Sequence, residues 1–365
     1  MEAQEKELQI FLDQSLMEKM LKKFLKRIQL TGEVFLHGDI SIPMRESIPA
    51  ITNSEVEDIR SFFPLDKFFI FGHARSGTTL LTRLVRLHSD VHCNYQGHFF
   101  TRIPTIESLV NNPEIEAWLT RRSNRWNQGR DLSPIILRAV IDFILEREAR
   151  GINVKIVGDK SPNSLLNGQA VRLMHKYYPD GRLLFIVRDG RDAAISHRFQ
   201  TFIDAVQHLT KDDLRLRTDF ESDPAPFIEG ERSIFTERSI RNAAIGWATN
   251  VSETDYEART LLGDYYLSLR YEDLLAEPWT EMRKVWKFLD VDLSDSSLET
   301  RLNEELERNP DKEWQQKKAG SLINPLQKGK TGSWKDLFTA RDKEIFKKFA
   351  GEMLMTWGYE KDMNW

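Results

Sequence analysis

Apolar positions along this chain recur with two periods, and the alternation between them predicts the architecture. Short apolar or alternating runs predict strands over 67–72, 91–95, 153–158, 182–187 and 265–270. Between them, apolar residues spaced three and four apart predict helices over 78–88, 133–149, 165–178, 192–200 and 232–262. Three more follow the last strand, over 273–289, 294–308 and 341–356. Ser133-Pro134 reads as a helix cap with proline in the first turn. Strands that are apolar on both faces and alternate with helices belong in one parallel sheet covered on both sides. The predicted fold is α/β, a three-layer parallel sheet flanked by helices.

Ahead of that core, Leu8, Phe11, Leu12, Leu16, Met20, Leu21, Phe24, Leu25 and Ile28 share one face of an amphipathic helix over 5–29. Its second half carries Lys19, Lys22, Lys23, Lys26 and Arg27. Such a helix can lie on a membrane surface or meet a partner. The preferred reading is a docking helix whose basic residues are solvated and complement its C-terminal dipole. A polar connector with Pro43, Pro49 and Pro64 follows. Residues 1–66 are therefore read as a helical extension and connector, and 67–365 as the main domain.

Composition narrows the function. The net charge of −4 supplies no global basic field, so a nucleic-acid partner is not expected and anion binding must come from local Arg and Lys. One cysteine, Cys93, excludes an intrachain disulfide framework and offers no metal cluster. Glu and Lys interrupt every apolar run from Met1 to Leu30, and no segment reaches the length of a membrane span. A cytoplasmic location is the expectation.

The strongest chemical signal follows the first predicted strand: Gly72-His73-Ala74-Arg75-Ser76-Gly77-Thr78-Thr79-Leu80. A strand, a Gly-bounded polar loop and a helix N-terminus form a phosphate cradle, because small residues let backbone N–H groups converge on an anion. The spacing is that of a P-loop, but Thr78 stands where the NTPase loop needs its Lys, and the positive charge sits at Arg75. A second strand ends at Arg188, and Ser196 follows eight residues later, about two helical turns on, where guanidinium and hydroxyl can share a phosphate. Arg191 could contribute to the same phosphate, but the preferred reading makes it the partner of Asp189 or Asp192.

Arg75-Ser76-Gly77-Thr78-Thr79-Leu80 resembles the phosphosulfate loop of sulfotransferases that use 3'-phosphoadenosine 5'-phosphosulfate (PAPS) and release adenosine 3',5'-bisphosphate (PAP). It is closer to the tyrosylprotein and bacterial branches than to the cytosolic one. Arg188 and Ser196 match the family's 3'-phosphate motif, and Arg270-Tyr271-Glu272-Asp273 its segment after the last core strand, whose tyrosine approaches adenine. Lys328-Gly329-Lys330-Thr331-Gly332-Ser333-Trp334 resembles the loop that closes over the nucleotide, with Gln327 and Ser333 departing from the usual Arg and Asp. The resemblance spans about 67–360.

It implies a PAPS-dependent sulfotransferase acting by in-line displacement without metal. Arg75 would bear on the leaving phosphate and sulfuryl group; Ser76, Gly77, Thr78 and Thr79 would hold the 5'-phosphate. Arg188, Ser196, Tyr271, Lys328 and Gly329 would complete the nucleotide site. Lys160, in Gly158-Asp159-Lys160-Ser161-Pro162, corresponds to a transition-state lysine of the tyrosylprotein branch. That branch carries its general base, a Glu, where this chain has Gln96; His98 is the substitute candidate, with His73 and Asp159 behind it. The tyrosylprotein enzymes act in the secretory pathway behind a membrane anchor, from which this chain departs. A small-molecule hydroxyl or amine acceptor is expected. The acidic run Asp219–Glu231, without a basic residue, could draw a cationic one or be a solvated loop. A homo-oligomer is left open. The alternatives are a small-molecule kinase on the same loop architecture and a non-catalytic relative that binds PAPS or PAP.

Overall fold

Five parallel strands lie in the order β2-β3-β1-β4-β5, with β1 Asp66–Phe71, β2 Val91–Tyr95, β3 Ile156–Lys160, β4 Arg182–Val187 and β5 Tyr266–Arg270. The computed structural model describes residues 50–121, 130–308 and 331–365. The helix read over 5–29, and Lys328 and Gly329, lie outside these.

The sheet is buried on both faces, which is why its strands read as nearly unbroken apolar runs. Successive side chains alternate. Phe68, Ile70, Leu184 and Ile186 pack with Leu81, Leu84, Met282 and Trp286 on one face. Phe69, Phe71, Leu183 and Phe185 pack with Leu137, Ile141, Trp247 and Phe346 on the other. Phe69 meets Phe100 and Tyr178 edge-on at 5.4 and 5.0 Å. At the amino ends of the strands, buried Lys67 pairs with Glu146 at 2.8 Å and buried Arg138 with Asp180 at 2.7 Å. Those charges pin the Ser133–Glu148 helix and lie at the end of the sheet opposite the phosphate loop.

Several boundaries move for identifiable reasons. β3 continues through Lys160 because Gly158, Asp159 and Lys160 pair with Phe68, Phe69 and Ile70 on one side and Cys93, Asn94 and Tyr95 on the other. The helix read over 192–200 is longer, Gly190–Asp204, capped by the Asp189 carboxylate on the Arg191 N–H. The helix read over 273–289 is two, Tyr271–Ala276 and Pro278–Phe288, because proline cannot continue the first. Ser133 does not cap its helix; it lies inside, and its N–H and hydroxyl both donate to Asp131 at 2.8 and 2.6 Å. Residues 50–65, assigned to the connector, fold onto the core. Ile51 is buried, and the Asn53–Phe62 helix starts at a Thr52–Glu55 capping box and buries Val56 and Ile59.

In this strand order the connections leave β1 for β2 and β3 on one side and for β4 and β5 on the other. The carboxyl end of β1 is thus a topological switch point, where open α/β sheets bind ligands.

Candidate functional site

The phosphate loop leaves β1 at that switch point. It turns tightly, Ser76 N–H donating to His73 C=O at 3.1 Å, and enters the Thr78–Val85 helix. Arg75 and Gly77 both have left-handed backbones, φ 71° and 92°. At Gly77 glycine is required twice over, since a Cβ there would lie 2.3 Å from Cδ2 of Tyr271. No side chain caps the helix, which leaves its first N–H groups directed into the loop. Ser76 is fully buried, and its Oγ has no partner among the described residues. An orphan hydroxyl, an uncapped N-terminus and a glycine elbow together fit a bound phosphate.

Three cations converge on the loop from different strands. Lys160, the last residue of β3, is buried, points Nζ at Thr79 Oγ1 at 3.3 Å and lies 5.3 Å from the Tyr95 ring centroid. Burial lowers its pKa, and the Asp159 charge partly restores it. Arg75 donates from Nε to Ser196 Oγ at 3.0 Å. Desolvation, then the nearby Arg188 charge, draw its pKa below the ordinary value, and as an arginine it stays cationic. Arg188, just beyond β4, donates from Nη1 to the Arg75 carbonyl at 3.3 Å and stacks 4.8 Å over the Tyr271 ring. Its own carbonyl accepts from the Trp247 indole at 3.1 Å, and that ring occupies the space a Cβ on Gly190 would need. Tyr271 is only 6% exposed, so its ring forms the floor under Gly77 and Arg188.

Beside Lys160 lies a strained turn. Gln96 and His98 are both left-handed, φ 57° and 49°. Gln96 N–H donates to the Lys160 carbonyl at 2.7 Å, Gly97 N–H to Asp159 Oδ1 at 2.9 Å, and His98 N–H to Ser161 Oγ at 2.8 Å. Gln96 is exposed. The His98 ring lies 2.9 Å from Thr101 Oγ1, and burial, then the Arg102 and Lys160 charges, lower its pKa, so it is a neutral imidazole at pH 7. Asp159 is buried with both oxygens taken, one by Gly97 and the other by the Ser161 hydroxyl. His73 is held neutral by burial and by His197, its pKa lowered to about 4. Of the three base candidates, His98 is the one that lies in the turn against Lys160.

The third motif is described from Thr331 on. Asp192 accepts the N–H groups of Gly332 and Trp334 at 2.6 and 3.1 Å, tying that segment to the helix that follows Arg188. Arg191 pairs with Asp189 at 2.7 Å and with Glu360, and is sandwiched between Trp334 and Trp365 at 3.6 and 4.4 Å. It is part of the framework. The acidic run Asp219–Glu231 is not a free loop: it comprises the end of the Lys211–Ser222 helix and the Ala225–Ile228 turn. Asp219 pairs with Arg232, and Glu221 with Arg217 at 2.7 Å. Flanking arginines therefore neutralise part of the field proposed to draw a cation.

Sequence reasoning missed the bracing residues Ser161, Asp192 and Trp247. Ser161 stood inside a motif already singled out, and its signal was a small polar residue directly after a buried lysine. Among the described residues no cluster of His, Cys, Asp and Glu could hold a metal ion.

Comparison with known proteins shows the family. A model of the sulfotransferase family matches residues 67–295, more than half of the chain. The chain is 27% identical over 247 residues to a protein-tyrosine sulfotransferase of Drosophila melanogaster, covering 67% of this chain and 42% of that protein. It is 26% identical over 273 residues to protein-tyrosine sulfotransferase A of Caenorhabditis elegans, covering 74% and 61%. It is also similar to the mouse sulfotransferase SULT7A1 complexed with PAP, at 17% identity and a TM-score of 0.42, over 80% of this chain and 88% of that one. The chain thus spans between 42% and 61% of the length of these curated relatives.

The expectation of a cytoplasmic location does not stand. It rested on the interrupted apolar runs from Met1 to Leu30 and on the lack of a segment as long as a membrane span, yet the curated relatives matched are protein-tyrosine sulfotransferases. No helix among the described residues is long and apolar enough to cross a membrane.

Proposed function

The chain belongs to the sulfotransferase family, and from that premise we propose that it transfers the sulfuryl group of PAPS to an acceptor hydroxyl or amine, releasing PAP. One observation carries the reading. Arg75 joins both phosphate motifs, its side chain bonded to Ser196 and its carbonyl to Arg188, so the two elements border one site rather than separate faces.

In this reading the loop N–H groups with Thr78 and Thr79 hold the 5'-phosphate, and Arg188 with Ser196 the 3'-phosphate. The donor supplies a sulfur whose bond to the bridging oxygen breaks as the acceptor oxygen bonds to it. The electron pair leaves with the 5'-phosphate, where charge builds. Lys160, hydrogen-bonded to Thr79, and Arg75 face that charge as fixed donors. A fixed donor of this kind is worth about 10²–10³ in turnover. His98, neutral, takes the acceptor proton.

For the acceptor, the tyrosine hydroxyl of a peptide has the support of the relatives' names. The small-molecule hydroxyl or amine has the support of Gln96, which departs from the tyrosylprotein base. Transfer of radiolabel from PAPS to a panel of tyrosine peptides, small phenols, alcohols and amines decides between them. Absence of transfer to any of these, with PAP still bound, would turn the reading toward a non-catalytic relative.

A further inference from the structure

Lys160 and the Gln96–His98 turn do not hold themselves in place. β3 ends at Lys160, and the chain then passes through Ser161, which is 1% exposed, and Asn163, also 1%. Asp159 and Ser161 form a relay. Asp159 Oδ2 accepts the Ser161 hydroxyl, Ser161 Oγ accepts the His98 N–H at 2.8 Å, and Asp159 Oδ1 accepts the Gly97 N–H at 2.9 Å. The same stretch is tied to the phosphate loop, Asn163 N–H donating to the Gly72 carbonyl at 2.8 Å, and Ser161 N–H donates to the Ile70 carbonyl at 3.0 Å. Two left-handed non-glycine residues in one turn persist only where the surroundings over-determine them.

We propose that Asp159 and Ser161 act as one positioning unit, which fixes the Gln96–His98 turn against Lys160 and so aligns the acceptor for transfer. The inference rests on the sulfotransferase reading of Lys160 and His98 and goes beyond it by assigning residues that touch neither nucleotide nor acceptor. The hydrogen-bond directions give the unit its chemistry. Two of its three donors, the Gly97 N–H and the Ser161 hydroxyl, point at the Asp159 carboxylate, so an amide in its place must either oppose the Gly97 N–H or turn the Ser161 hydroxyl away. Alanine at 161 leaves the His98 N–H and one Asp159 oxygen without their partner. Released turns lose alignment, and a misplacement of about 1 Å costs roughly a hundredfold in rate.

The test compares Ser161→Ala, Asp159→Asn and the double variant by kcat, by KM for PAPS, by thermal stabilisation with PAP, and by hydrogen exchange of the Gly97 and His98 amides. Each single variant is expected to lower kcat by about tenfold to a hundredfold, leave KM for PAPS within about twofold, and expose the two amides. The double variant should be no slower than the worse single one, since both break the same unit. An unchanged kcat in Ser161→Ala would overturn the proposal, as would kcat losses that multiply, or losses that track a loss of PAP stabilisation. A wild-type protein that neither binds PAP nor transfers sulfate would sink the functional reading by itself. The exchange data would still judge the relay, which fails if Ser161→Ala leaves the His98 amide protected.

Discussion

Gly77→Ala is the sharpest perturbation of the phosphate loop, because two costs fall on one methyl group. The backbone at Gly77 has φ 92°, where an L-residue costs about 1–2 kcal/mol. The new Cβ would also lie 2.3 and 2.6 Å from Cδ2 and Cε2 of Tyr271, far inside contact distance. Tyr271 has little room to yield, since it is buried and stacked beneath Arg188. Overpacking of this kind costs about 1–3 kcal/mol, so the total is roughly 2–5 kcal/mol. If the loop keeps its shape, the loss appears as folding stability. If it opens to relieve the clash, the loss appears as donor affinity, where 2 kcal/mol is about thirtyfold. Urea unfolding and calorimetric titration with PAP, run together, account for both routes. In a Tyr271→Ala background the steric part vanishes and only the backbone part remains, which predicts a coupling of about 1–3 kcal/mol. A Gly77→Ala protein with wild-type stability and wild-type PAP affinity would refute the reasoning, and zero coupling would refute its steric half.

Other consequences follow from the same geometry. Lys160→Met should lower kcat by about 10²–10³ in a PAPS transfer assay while PAP affinity changes little, since in the proposed reaction the ammonium, held at Thr79, faces the developing charge. The acid limb of the kcat profile should reflect neutral His98 with a midpoint below 6.5, because burial and then the Arg102 and Lys160 charges lower its pKa; His98→Ala should remove that limb. His73 is neutral in the fold down to about pH 4, whereas in the unfolded chain it protonates near 6.5. The unfolded state then binds the extra proton, so stability falls as pH drops from about 6.5 to 4, by up to about 3 kcal/mol. Unfolding of His73→Gln should be flatter across that range, and an unchanged slope would contradict the assignment.

Local signals carried well from sequence to structure. β1, β2, β4 and β5 were legible within about a residue because buried parallel strands announce themselves as apolar runs. Loop and helix start were legible at Gly72–Thr78 for the same reason a phosphate needs them there. What pairing decides was less visible. Asp159 and Lys160 looked like turn residues, and only their ladder with Phe69, Ile70, Asn94 and Tyr95 makes them strand. The Lys211–Ser222 helix was missed because it is mostly charged, with Asp213 and Phe220 buried and Thr210 capping it. In the site, single residues were legible and relations were not. Arg75 and Ser196 were each singled out, but spacing alone put Ser196 with Arg188, whereas the Ser196 hydroxyl accepts a hydrogen bond from Arg75. Carboxylates at Asp159 and Asp192 read as chemistry or charge pairing, yet their oxygens are taken up by backbone N–H groups and one hydroxyl.

The central claim is that the loop after β1 and the Arg188–Ser196 motif together hold a nucleotide carrying a 3'-phosphate. Thermal stabilisation by PAP without metal, set beside Mg·ATP, in wild type and Arg188→Ala, tests it most directly. At about a hundred times its Kd, PAP should stabilise the wild type by about 2.7 kcal/mol, and Arg188→Ala should lose most of that. Stabilisation by Mg·ATP alone, indifferent to Arg188, would contradict the account and turn the site over to phosphoryl transfer.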